Sequence, residues 1–113
     1  MNISYEGIGN YSITVEMDKT VKNGYACALG SDKIAYVADD DENILGIVAT
    51  VNDKYANVIV GGVVTAAYSG TAPTVGSCCL RGDGNGKVNV NAAGESYRVL
   101  SVDTTKKTVT FIL

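Results

Sequence analysis

The stretch Tyr11-Ser12-Ile13-Thr14-Val15-Glu16 decides the class of fold. Apolar side chains stand at 11, 13 and 15 and polar ones at 12, 14 and 16. That is the two-residue period of a strand with one face toward a core. Working outward, short apolar or alternating runs recur over residues 25–29, 34–38, 44–51, 55–60, 63–68, 75–80, 87–91, 97–102 and 108–113. Turn-forming segments separate them: Lys22-Asn23-Gly24, Gly30-Ser31-Asp32-Lys33, Asn52-Asp53-Lys54 and Gly61-Gly62. Asp83-Gly84-Asn85-Gly86 carries two turn dipeptides in a row and is the strongest hairpin signal in the chain. Gly46, inside an apolar run, marks a bulge or a close backbone approach. No segment longer than about eight residues carries a helical period.

Composition agrees. Val, Ile and Thr supply 15, 8 and 10 of the 113 residues, with 13 Gly, 9 Asn and a single Pro. β-branched residues joined by turn formers favour short strands over helices. The expected fold is all-β, a small antiparallel β-barrel or sandwich. Residues 11–113 read as a single β-domain, and residues 1–10 as an N-terminal arm without clean alternation. The two halves resemble each other weakly. Gly24-x-x-Cys27 stands 52 residues before Gly76-x-x-Cys79, and Lys33-Ile34 stands 54 before Lys87-Val88. A duplicated four-strand unit is one explanation. The other is that any regular β chain aligns to itself at some offset. The expected inward set is Ile13, Val15, Ile34, Tyr36, Leu45, Val58, Val60, Val88, Val90, Val99, Val109 and Phe111.

The chain contains no His, which excludes imidazole base catalysis and His-ligated metal within it. Nine Lys and Arg against twelve Asp and Glu give a formal charge of −3. No basic stripe exists to displace counterions from phosphates, so nucleic acid is not an expected partner. No run of 18 or more apolar residues appears, so no membrane partner is expected. Met1 to Glu6 has no basic region leading into an apolar core, so no secretory signal is expected there. Cys27, Cys78 and Cys79 are odd in number and two are adjacent, which argues for reduced thiols rather than a disulfide framework.

Each remaining motif has a plain reading. Asp39-Asp40-Asp41-Glu42 is contiguous, whereas a cation loop spaces its ligands and includes a Gly, so it reads as a solvated loop. Arg81-Gly82-Asp83 overlaps the hairpin turn, and Gly82, Gly84 and Gly86 do not precede a helix. Seven Tyr are spread about one per strand and read as core-edge and interface packing. No catalytic, cofactor-binding or metal residue is assigned, and no cofactor is expected.

Several longer phrases carry a family likeness. Val21-Lys22-Asn23-Gly24-Tyr25-Ala26-Cys27, Asn43-Ile44-Leu45-Gly46-Ile47-Val48, Val58-Ile59-Val60-Gly61-Gly62-Val63-Val64, Val75-Gly76-Ser77-Cys78 and Gly86-Lys87-Val88 together resemble the head decoration (capsid cement) proteins of tailed bacteriophages. Cysteines stand where valine is usual in that family. The resemblance covers roughly residues 20–113. It implies a non-enzymatic virion protein, assembled in the host cytoplasm, that binds the outside of the major capsid protein lattice as a homotrimer and stabilises the head. On that reading Ile3, Tyr5 and Ile8 of the arm are the candidate capsid contacts. The alternative is a non-catalytic β binding module, tail-associated or carbohydrate-binding, which an exposed cluster of Tyr and Asn on one loop face would favour. An enzyme using only Asp and Lys is the third alternative.

Overall fold

The structure is a computed structural model in which residues 11–18 and 20–113 are described. These residues form ten strands and no helix. The first five are β1 (Tyr11–Met17), β2 (Ala26–Leu29), β3 (Ile34–Val37), β4 (Gly46–Val51) and β5 (Tyr55–Gly61). The second five are β6 (Val63–Ser69), β7 (Gly76–Gly82), β8 (Val88–Val90), β9 (Glu95–Asp103) and β10 (Thr108–Ile112). Each expected run therefore forms a strand, with ends shifted by up to two residues.

The strands close into two barrels, in the orders β1-β3-β2-β4-β5 and β10-β6-β8-β7-β9. The two orders are the same topology. In each, the first strand pairs antiparallel with the fifth and parallel with the third; every other pairing is antiparallel. The repeated unit thus has five strands, one more than the sequence halves suggest, because 11–17 and 63–69 belong to it.

Register fixes which residues are equivalent. Met17 donates its N–H to the Lys54 carbonyl at 3.0 Å, and Tyr68 donates to the Lys107 carbonyl at 3.0 Å. Cys27 pairs with Val37 just as Leu80 pairs with Val90, and both Cys27 and Leu80 are fully buried. Cys79, the sequence match to Cys27, is instead half-buried. A one-residue slip turns a side chain to the opposite face of a strand. The paired Gly-x-x-Cys motifs are therefore a coincidence laid over a real repeat.

Two apolar clusters follow from the alternation. Cys27, Val48, Ala56 and Val58 fill the first barrel, with Val15, Met17, Val37, Leu45 and Val60 around them. The larger cluster fills the second barrel with Leu80, Val88, Val99, Val109 and Phe111, and extends to Ala26, Ala28, Ala38, Ile44 and Ile47. Those last five lie on the outside of the first barrel, so the second barrel's core continues into the contact between the barrels.

That contact is close because glycine allows it. A Cβ at Gly82 would lie 2.5 Å from the Ala38 Cβ, well inside contact distance. Backbone bonds bridge the two barrels there. Gly82 donates to the Glu42 carbonyl at 2.8 Å, Asp41 to the Gly82 carbonyl at 3.1 Å, Gly84 to the Ala38 carbonyl at 3.0 Å and Ala26 to the Gly86 carbonyl at 2.9 Å. The acidic loop expected to be merely solvated is thus clasped to the β7–β8 hairpin by its backbone, while the Asp39, Asp40 and Asp41 side chains remain exposed.

The expected inward set needs correcting. Val58, Val88, Val99, Val109 and Phe111 are buried, but Ile13 and Val90 are 37% and 39% exposed. Ile13 lies on a length of β1 that has only one neighbouring strand, and Val90 ends a strand of three residues. In β3 the buried position is Ala35, between Ile34 and Tyr36. Ala35 suffices there because Val48, Val58, Val15 and Val37 supply most of the first barrel's apolar volume.

Candidate interaction site

Two concave surfaces occur where the barrels meet. The first is an apolar groove of about 430 Å³ along the outer face of β4 and β5. Ile47 and Ala49 of β4 and Ile59 of β5 line it, together with Ser12 of β1 and Val63 and Val64 of β6. Outward positions of a strand are usually polar, but here they turn toward the second barrel, which explains the isoleucines. Asn57 also lines the groove, and its Oδ1 is buried without a hydrogen-bond partner.

The second is a polar crevice of about 400 Å³ lined by Asp18, Thr20, Tyr25, Tyr36, Val37, Asp39, Gly84 and Asn85. The acidic loop and the β7–β8 hairpin build it. Tyr36 donates its hydroxyl to a Glu42 carboxylate oxygen at 2.5 Å. That bond, reinforced by desolvation and nearby carboxylates, pushes the phenol up to about 12. The other Glu42 oxygen accepts the Asp39 N–H at 3.0 Å, and Asp41 accepts from the Asn91 side chain at 2.7 Å. Glu42 therefore ties the loop to β3, while Asp41 ties it to the second barrel.

Asp83 holds the hairpin side of the crevice. Its carboxylate accepts N–H bonds from Asn85 at 2.8 Å and Lys87 at 3.0 Å, and the Ser69 hydroxyl bond at 2.8 Å. Partial burial acts to raise its pKa, but these bonds, with the Lys87 charge, outweigh it and hold the carboxyl below its ordinary value. The sequence reading of Asp83-Gly84-Asn85-Gly86 as a turn is correct, and the turn also presents Asn85 to the crevice.

Ile3, Tyr5 and Ile8 lie outside the described residues. Among the described residues no cluster of three or more His, Cys, Asp or Glu side chains could hold a metal ion. All three cysteines are free thiols. Burial pushes the Cys27 thiol up to about 11. The groove was not legible in the sequence, because it is made by the packing of two barrels rather than by any one motif. The crevice had a partial signal in Tyr25, Tyr36 and Asn85, but nothing local brings them together.

No family model, no curated protein and no solved structure matches the chain.

Proposed function

We propose that the protein is a capsid decoration protein that binds the outside of a phage major capsid protein lattice and stabilises the head without chemical turnover. The observation that carries this reading is the place of the family-like glycine phrases in the fold. Gly46 of the second phrase lies where a Cβ would come 2.1 Å from the Ile59 carbonyl oxygen. Gly61-Gly62 of the third forms the link between the barrels, and Gly76 of the fourth holds a φ of 103°. The phrases thus coincide with positions that the double barrel requires, so the likeness follows the architecture rather than composition. A rigid body with few loops suits a cement that must link several subunits. As a homotrimer it would engage three sites at once, and each later contact would form intramolecularly. Ile3, Tyr5 and Ile8 are the proposed arm contacts.

Co-sedimentation with undecorated capsids tests this. Full-length protein is expected to pellet with capsids, and protein lacking residues 1–10 to pellet less at equal concentration. Full-length protein that stays in the supernatant at every concentration would refute the reading.

A second reading has a specific observation in its favour. The polar crevice brings two Tyr, an Asn and two carboxylates to one loop face, the combination a carbohydrate site uses. Titration with a glycan panel, and loss of any binding in Asn85→Ala, would support that module instead.

A further inference from the structure

The pair that closes the first barrel covers only one end of β1. β1 is seven residues long but pairs with β3 only through Glu16 and Met17. The β2–β3 hairpin turns at residues 30–33, so the stretch from Tyr11 to Val15 runs past it, with β5 its one partner among the described residues. The ladder to β5 tells which backbone groups face outward. Met17 donates to Lys54, and hydrogen-bonded pairs alternate along an antiparallel ladder. Met17, Val15 and Ile13 therefore bond toward β5, whereas Ser12 and Thr14 turn their N–H and C=O groups to the open edge. No described residue pairs with them there.

The second barrel shows what a covered version looks like. Val64 is the equivalent of Ile13, since they pair with Phe111 and Val58 respectively. Val64 is 3% exposed and Ile13 37%. Leu29, opposite Ala35, is 39% exposed, whereas its equivalent Gly82, opposite Val88, is buried beneath Ala38. Val63 and Thr65, which face the equivalent edge, have interactions of their own. Among the described residues, Ser12 and Thr14 of the first barrel have no backbone partner on this edge, beside exposed Ile13 and Leu29.

We infer that the β1 edge at Ser12 and Thr14 receives an extended segment of another protein, one that alternates apolar and polar residues and carries Lys or Arg at its ends. Such a segment adds a strand through main-chain bonds and sets its apolar side chains over Ile13 and Leu29. Charge selects the occupant. Residues 11–61 hold eight carboxylates against four Lys, a net −4, while residues 62–113 hold three carboxylates against five Lys and Arg, a net +2. Two β1 edges paired across a two-fold would place two net −4 barrels side by side. Residues 1–10 carry only Glu6 as a charged side chain, so they also lack the cation. A cationic segment from a different protein satisfies both the edge and the field. The inference stands on the edge itself and holds whether or not the protein decorates capsids.

The test selects displayed random nonapeptides on the full-length chain, then measures the enriched peptides by fluorescence anisotropy and amide exchange. Alternating apolar sequences with terminal Lys or Arg are expected to emerge and to slow exchange at the Ser12 and Thr14 amides, whose exchange without peptide is expected to be fast. Thr14→Pro removes the edge-facing N–H and should weaken binding by at least about tenfold, whereas Thr14→Val keeps it and should bind normally. The exchange measurement on the unaltered chain decides the matter even if Thr14→Pro fails to fold. Failure to enrich any peptide, or binding that ignores Thr14→Pro, overturns the inference. So does slow Ser12 and Thr14 exchange in the peptide-free monomer, which would assign the edge to residues 1–10. Protection that rises with protein concentration would assign it to a second copy and overturn it equally.

Discussion

Val58 and Phe111 occupy the same position in the two barrels. Val58 pairs with Ile13 and Val48, and Phe111 pairs with Val64 and Val99. Both are fully buried. The valine faces a barrel lined by Ala35, Ala56 and Cys27. The phenylalanine fills the other, where its ring stands edge-on to Tyr97 with centroids 5.3 Å apart and planes at 62°. One topology thus supports two core sizes, with the larger core shared between the barrels.

Phe111→Ala should therefore cost about 3–5 kcal/mol, the range for truncating a large buried aromatic. Chemical denaturation with a tryptophan-free probe such as circular dichroism measures it. A loss below about 1 kcal/mol would mean that the side chain is not enclosed as described.

Gly46→Ala should destabilise strongly, and more than Gly24→Ala. At Gly46 an added Cβ would meet the Ile59 carbonyl at 2.1 Å, and Ile59, paired with both Ile47 and Ser12, cannot move aside. At Gly24 nothing lies within 4 Å, so the penalty there comes only from its φ of 85°. Comparing the two melting temperatures separates a steric cost from a conformational one.

In the acidic loop, Asp39→Asn and Asp40→Asn together should leave the melting temperature nearly unchanged, because both side chains are exposed. Glu42→Ala should cost more, about 0.5–1.5 kcal/mol for each hydrogen bond lost, since its carboxylate holds both Tyr36 and the Asp39 N–H. Chelator should not lower the melting temperature of the unaltered protein. A sharp drop would identify a bound cation instead.

Acid should weaken the hairpin through Asp83. Its folded pKa lies below the ordinary 3.8, so its contribution is present above that value and is lost as pH falls through the lowered one. Asp83→Asn should flatten the fall in stability below pH 3.8. At the other extreme, Tyr36 and Tyr97 are both raised from 10.0 to about 12, Tyr36 by its bond to Glu42 and Tyr97 by burial. Folded protein is favoured while they stay protonated. Stability should therefore decline as pH rises from about 10 toward 12, followed by phenolate absorbance.

Thiol reagents at neutral pH should modify Cys79 first, since it is the only half-exposed cysteine. Cys27 is fully buried and its pKa is about 11, so it holds almost no thiolate and should react only on unfolding. Counting fast and slow thiols checks the facing of β2 against that of β7.

The sequence by itself determined the strands. Alternation from Tyr11 to Glu16, the turn chemistry of Asp83-Gly84-Asn85-Gly86 and the isolated Gly46 are local signals, and each strand and turn forms where they indicate. The repeat was visible but one residue out of register, because a period-two pattern aligns with itself at many offsets and Cys27 and Cys79 match by letter alone. Only the tertiary structure decided that the chain closes twice. Closure depends on the parallel pairs Glu16–Ile34 and Tyr68–Val88, which join strands distant in sequence and leave no local mark. Packing between distant elements also decides the surface. Ile13 and Val64 carry similar side chains in equivalent strands, yet one is exposed and the other buried, because Val64 packs into the larger apolar cluster that runs between the barrels.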